Sequence, residues 1–186
     1  MTRDMNQHMN HNEPYSDDYI EGILAGARVF AFVGASANTS RPSYFAMKYM
    51  LSKGYAVHPV NPGQAGKEIL GQRAYATIAD LPVPVDVIDI FRNSDDALEI
   101  TRQAIAEKDR LGLKVIWMQL GVRNDVAAAE AEAAGLEVVM NRCPKIEYGR
   151  LSGEISWAGV NSRTISSRKP KLSKFGVQSH LLRESK

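Results

Sequence analysis

The residues of this chain that could do chemistry recur in one kind of place, just after an apolar run. Val29-Phe30-Ala31-Phe32-Val33 stops at Gly34-Ala35-Ser36, and Arg41-Pro42-Ser43-Tyr44 follows. A β-prone run that ends in glycine and small residues, then a helix opened by proline, hands a buried strand over to a helix. The loop between them can approach a phosphate. Backbone N–H groups and the Ser36 hydroxyl can face such an anion, and Arg41 adds a fixed cation with bidentate reach. The loop is close to the G-x-G-x-x-G/A dinucleotide fingerprint and breaks it, because Ser36 stands at the second glycine position.

The next strand ends repeat the theme. Val57-His58-Pro59-Val60 runs into Asn61-Pro62-Gly63, where a nicotinamide site would carry an acid for the ribose hydroxyls. Asn61 instead offers an amide to a ribose or base, Pro62 and Gly63 turn the backbone, and Lys67 is close in sequence. The same stretch also reads as a plain Asn-Pro-Gly turn. Val85-Asp86-Val87-Ile88-Asp89-Ile90 ends in Phe91-Arg92. A flat apolar face beside a cation suits an adenine or a phosphorylated tail; core packing and a surface ion pair are the plain alternatives. Lys114-Val115-Ile116-Trp117-Met118 gives way to Gln119-Leu120-Gly121-Val122. There Gln119 can donate and accept, and Gly121 permits close backbone approach. Met140-Asn141-Arg142-Cys143-Pro144 places the single cysteine at the same end, ahead of a helix whose N-terminus would lower its pKa. A buried, inert thiol is the alternative.

The elements that must position these residues follow a repeated grammar. Ser16 caps a helix with the stripe Tyr19, Ile20, Ile23, Leu24 and Ala27. Strands are expected at 29–33, 56–60, 86–90, 114–118 and 137–140, separated by helices near 42–53, 94–110 and 124–134. Asn93 and Asn124 supply capping oxygens. Gly54, Gly112 and Gly135 end helices directly before strands. The crossover 61–85 is broken by Pro62, Gly63, Gly66, Gly71, Pro82 and Pro84, which leaves room only for a short helix near 77–81. Alternation of this kind predicts an α/β, Rossmann-like three-layer fold with a five-stranded parallel sheet. The expected strand order is 3-2-1-4-5, with the chain reversing between the first and fourth strands. Ligand is then expected above 34–41 and 119–123.

A length of 186 residues suits one domain, and 44% hydrophobic content is enough for a core. A formal net charge of +2 excludes a global basic field of the nucleic-acid-binding kind. One cysteine excludes an intrachain disulfide. No apolar run approaches the ~20 residues that cross a bilayer, so no membrane partner is expected. The expectation is a cytoplasmic protein with a frayed tail at 1–14, a ligand-binding domain at 15–152 and a basic extension at 153–186. His8 and His11 belong to that tail. Seven Lys or Arg against one acid over 163–186 read as a solvated tail or an oligomer arm, with nucleic-acid binding set aside as the weaker reading.

Taken together, these stretches resemble a known family, the stand-alone CoA-binding domain proteins, small bacterial relatives of the CoA-binding domain of succinyl-CoA synthetase. The likeness runs in register through Val33-Gly34-Ala35-Ser36, Arg41-Pro42-Ser43-Tyr44, Val60-Asn61-Pro62, Glu68-Ile69-Leu70-Gly71, 85–92, 117–122 and 138–145. It implies coenzyme A lying across the carboxyl ends of the strands. By that likeness Gly34, Ala35, Ser36 and Arg41 hold the phosphates, and Asn61, Pro62 and Lys67 lie near the adenosine and its 3′-phosphate. Phe91, Arg92, Gln119, Gly121 and Val122 line the remainder, and Cys143 lies where the pantetheine thiol ends and could form a mixed disulfide with it. Family members often carry Asp where this chain has Asn141. The function implied is binding of CoA or acyl-CoA without catalysis, alone, as a homo-oligomer or with a partner enzyme. A component of an acyl-CoA ligase and an NAD(P)-dependent oxidoreductase are the alternatives.

Overall fold

The computed structural model describes residues 9–154. Residues 155–186, nearly all of the expected basic extension, lie outside the described residues. Helix α1 (Asp17–Gly26) starts at Ser16, whose side chain accepts from the Tyr19 N–H. Strand β1 (Val29–Val33) leads into α2 (Pro42–Ser52), and β2 (Ala56–Val60) follows. The crossover then makes a two-stranded hairpin, β3 (Glu68–Ile69) with β4 (Gln72–Arg73), and a 3-10 turn at Ile78–Asp80. Strand β5 (Val87–Ile90), α3 (Asp96–Ala106), α4 (Lys108–Leu111), β6 (Val115–Met118), α5 (Asp125–Ala133), β7 (Glu137–Val139) and α6 (Pro144–Leu151) complete the chain.

Five strands form one parallel sheet in the order β2-β1-β5-β6-β7. The α/β class is as expected; the expected order 3-2-1-4-5 is not. The third strand of the main sheet, β5, pairs with β1 rather than flanking β2. The composition of the strands accounts for this. Val87-Ile88-Asp89-Ile90 is buried along its whole length and belongs inside the sheet. Strand β2 carries Pro59, which has no N–H to give a second neighbour, and it takes the edge. The chain therefore reverses between β1 and β5, not between the first and fourth strands.

Helices cover both faces. On one, α1, α2 and α6 bury Ile20, Met47, Met50 and Tyr148 against Phe30, Phe32 and Trp117. On the other, α3 and α5 lay Ala97, Ala104, Ala127, Ala128 and Ala131 over Ile88, Ile90 and Ile116. Small residues let these helices lie close to the sheet. Asn93 and Asn124 hold the first-turn amides of Asp96 and Ala127. The helix expected over 94–110 is divided at Glu107 into α3 and α4.

Residues 9–14, expected to fray, are fastened to α5. His11 Nε2 lies 2.9 Å from Glu132 Oε1, and its Nδ1 lies 2.8 Å from the Tyr15 hydroxyl. Arg123 donates to the His11 carbonyl at 3.0 Å and to Asn12 Oδ1 at 2.7 Å.

Candidate functional site

Because the sheet is parallel, all five strands release their chain at one edge. The edge is cleft where neighbouring connections leave in opposite directions, between β1 and β5. Gly34 stands at that point with φ of +92°. A Cβ there would come within 2.7 Å of the Phe91 carbonyl oxygen and 2.9 Å of Arg92 Cδ. Glycine is required both by the conformation and by the close passage of the two loops.

Two connected cavities open above this point. The larger, about 870 Å³, is bounded by the start of α2 (Ser40, Arg41, Pro42, Ser43), the ends of β5 and β6 (Phe91, Gln119, Val122) and the start of α6 (Cys143, Lys145, Ile146). The smaller, about 560 Å³, lies between Asn61, Pro62, Thr77 and Ile78 on one side and Asp96, Glu99, Ile100 and Gln103 of α3 on the other. Gly34, Asn61 and Arg92 line both and join them into one groove. Each volume is in the range of small-molecule sites, ~300–1,000 Å³.

The charges divide between the two halves. No carboxylate lines the larger cavity, which Arg41, Arg92 and Lys145 face. The N-termini of α2 and α6 both border it, so two positive dipole ends join these cations. The smaller cavity carries Asp96 and Glu99, and Asp96 holds Arg92 through bonds of 3.1 and 3.0 Å.

Several expected binding groups are engaged by the protein itself. The Gly34 N–H donates to the Val60 carbonyl at 2.9 Å, and the Ser36 N–H donates to Ser43 Oγ at 3.2 Å. Ser36 Oγ accepts from Asn38 N–H at 3.1 Å. Asn61 donates to the Ala35 carbonyl at 2.7 Å and accepts from Gly63 N–H at 2.9 Å, so its amide braces two loops. These contacts fix the groove's shape in advance.

Of the residues singled out from the sequence, Gly34, Ser36, Arg41, Asn61, Pro62, Phe91, Arg92, Gln119, Val122 and Cys143 meet in this groove. Ala35 is buried behind the loop. Lys67 is exposed beside the hairpin and lines neither cavity. Gly121 also lies outside the lining, and its N–H donates to Asn141 Oδ1 at 2.8 Å. The sequence reading passed over Lys145, Phe45 and Ile146, although the first-turn position of Lys145 and Ile146 after Pro144 was a usable signal.

Asp89 was also missed. It is fully buried on β5, and Gln119 Nε2 donates to its Oδ2 at 3.1 Å. Among the described residues its Oδ1 has no partner. Burial drives its pKa well above the ordinary carboxylate range, against the weaker pull of Gln119. Cys143 departs from expectation in the same direction. Burial raises its thiol pKa, the amides of Ile146 and Lys145 oppose this, and the Asp89 carboxyl adds to it. Desolvation outweighs the helix N-terminus, and the thiol stays protonated at neutral pH.

Fold and groove together define a Rossmann-like α/β domain with a cation-lined cleft at its switch point. The chain belongs to the CoA-binding domain family, whose profile matches residues 28–149. It is 30% identical over 129 residues to an uncharacterized Bacillus subtilis protein, YneT, covering 69% of this chain and 91% of that one. A hypothetical protein from Pyrococcus horikoshii has 36% identity and a TM-score of 0.68, over 76% of this chain and 98% of its own. A dinucleotide-forming acetyl-coenzyme A synthetase of Ca. Korarchaeum cryptofilum shares the fold, with a TM-score of 0.52 and 24% identity over 63% of this chain and 27% of its own. Among the described residues, no helix is long and apolar enough to cross a membrane.

Proposed function

We propose that this protein binds coenzyme A along the groove and performs no chemistry on it. The observation that carries the reading is the larger cavity. The N-terminus of α2 and the Arg41 and Arg92 side chains border it, and no carboxylate does. That is a place for a diphosphate. The acids at the smaller cavity disfavour phosphate and suit the adenosine, packed between Ile78 and Ile100 with Thr77 and Gln103 at hand. The pantetheine arm then runs over Phe91, Gln119 and Val122 and ends at Cys143.

Absence of chemistry is supported by the same end of the groove. Burial pushes both Cys143 and Asp89 toward their neutral forms, which disfavours an ionised nucleophile or base at this end. Family membership supports the choice of CoA. An NAD(P) reading is disfavoured by Ser36 in the fingerprint loop and by Asn61 where a dinucleotide site carries an acid. Isothermal titration with CoA, with NADH as a control, tests the reading. Saturable one-to-one binding of CoA alone is expected. No heat at millimolar CoA, or tighter binding of NADH, overturns it.

A further inference from the structure

The described surface exposes six large hydrophobic side chains, and three of them are gathered at one place. Phe45 is 51% exposed, Leu120 61% and Ile146 43%, and all three line the larger cavity together with Cys143. They come from different elements: Phe45 from α2, Leu120 from the turn after β6, and Ile146 from the first turn of α6. Scattered single hydrophobics on a protein surface need no explanation; a cluster at the rim of a binding groove calls for an occupant. Phosphates and an adenine have no use for such a rim.

We propose that the ligand is carried as a thioester, and that its apolar acyl chain lies over Phe45, Leu120 and Ile146 beyond Cys143. This rests on the CoA reading, and it commits the site to acyl-CoA rather than free CoA. Continuity is the main argument. Phe45, Leu120 and Ile146 line the same cavity as Cys143, at the end assigned to the pantetheine. The chemistry of the exit agrees with it. A thioester is cleaved by an ionised thiol or an activated water, and the thiol beside it is held protonated by burial. Burial pushes the pKa of the Asp89 carboxyl behind Gln119 upward as well. The site can therefore hold a thioester without forming or breaking a bond.

Titrating the full chain with CoA, acetyl-CoA and octanoyl-CoA tests the proposal. Partial burial of eight carbons predicts octanoyl-CoA binding at least about tenfold tighter than CoA, with acetyl-CoA close to CoA. In the triple variant Phe45→Ser, Leu120→Ser, Ile146→Ser the ratio of the two affinities is expected to fall to about one. Because the three side chains are exposed, the variant should fold, and an unchanged circular dichroism spectrum and unfolding midpoint report that it has. Equal affinities for CoA and octanoyl-CoA in the unaltered protein overturn the acyl assignment and leave the CoA reading standing. So does a preference that survives the triple substitution. Failure of every ligand to bind overturns the CoA reading itself. If the substitutions instead turn a dimer into a monomer in light scattering while all ligands bind equally, the rim is a contact between copies, and the acyl assignment falls.

Discussion

Asp86 and Asp89 stand three positions apart on the same strand run, and the protein treats them in opposite ways. Asp86, at the amino edge, accepts from the Arg28 and Val29 amides at 2.9 and 3.0 Å and from Lys114 Nζ at 2.7 Å. Burial pushes its pKa up, but these donors together hold it below the ordinary value. Asp89, toward the carboxyl edge, has Gln119 as its donor and an Oδ1 without a partner among the described residues, and burial raises its pKa. The amino edge closes its polar groups within the chain and serves stability. The carboxyl edge leaves polar and apolar groups facing an open groove. The same contrast runs through the loops there, where Asn61 and Ser43 are spent on shape while Arg41 faces the cavity without an ion-pair partner among the described residues.

The comparison can be broken most forcefully at its stable edge. Replacing Asp86 by Ala leaves two strand-edge amides without their acceptor and should destabilise the domain by about 3 kcal/mol in urea unfolding. CoA affinity measured on the folded fraction should not change. A loss of affinity would mean that the two edges are coupled.

Gly34→Ala attacks the other edge. A Cβ 2.7 Å from the Phe91 carbonyl at φ +92° must move one loop or the other. A stability loss of about 2 kcal/mol is expected, together with loss of CoA binding in titration calorimetry. Retained binding would separate the groove from the switch point.

Asp89→Asn sharpens the contrast through its sign. A carboxyl whose folded pKa is raised favours the native state fully below its unfolded value, near ~4, and loses that contribution as pH rises toward its folded value. An amide removes this loss. The variant should be about 1 kcal/mol more stable than the parent at neutral pH and show a flatter stability profile above pH ~4. For Asp86, with its lowered pKa, the parent's contribution is instead lost as pH falls below ~4 through the folded value. Denaturant midpoints measured from pH 3 to 8 check both slopes, and slopes of the same sign would remove the distinction.

Arg41→Ala should have the smallest effect on stability, within about 0.5 kcal/mol, because the side chain is exposed. Its CoA affinity should fall roughly tenfold to a hundredfold through a lost charged hydrogen bond. An unchanged affinity would remove Arg41 from the phosphate contacts.

Much of this was legible along the chain. Apolar runs located the strands, and Gly34, Asn93, Asn124 and Gly112 punctuated them, because caps and left-handed turns depend on local chemistry. The order of strands was misread even though Pro59 in β2 and the unbroken burial of β5 carry the information. Periodicity reports which faces are buried, whereas neighbours are chosen by the packing of the whole sheet. Asp89 looked like any strand residue, and His11 like part of a solvated tail, because their partners Gln119 and Glu132 are distant in sequence.

The sequence by itself determined the α/β class, the strand ends at which a ligand could be met, and the likeness to CoA-binding domains. Each rests on residue types and short spacings that act locally. Tertiary structure alone decided the β1–β5 switch point, the upward pKa shifts of Cys143 and Asp89, and the gathering of Phe45, Leu120 and Ile146 at one rim. Those outcomes depend on desolvation and on contacts between segments far apart in the chain, which no local pattern encodes.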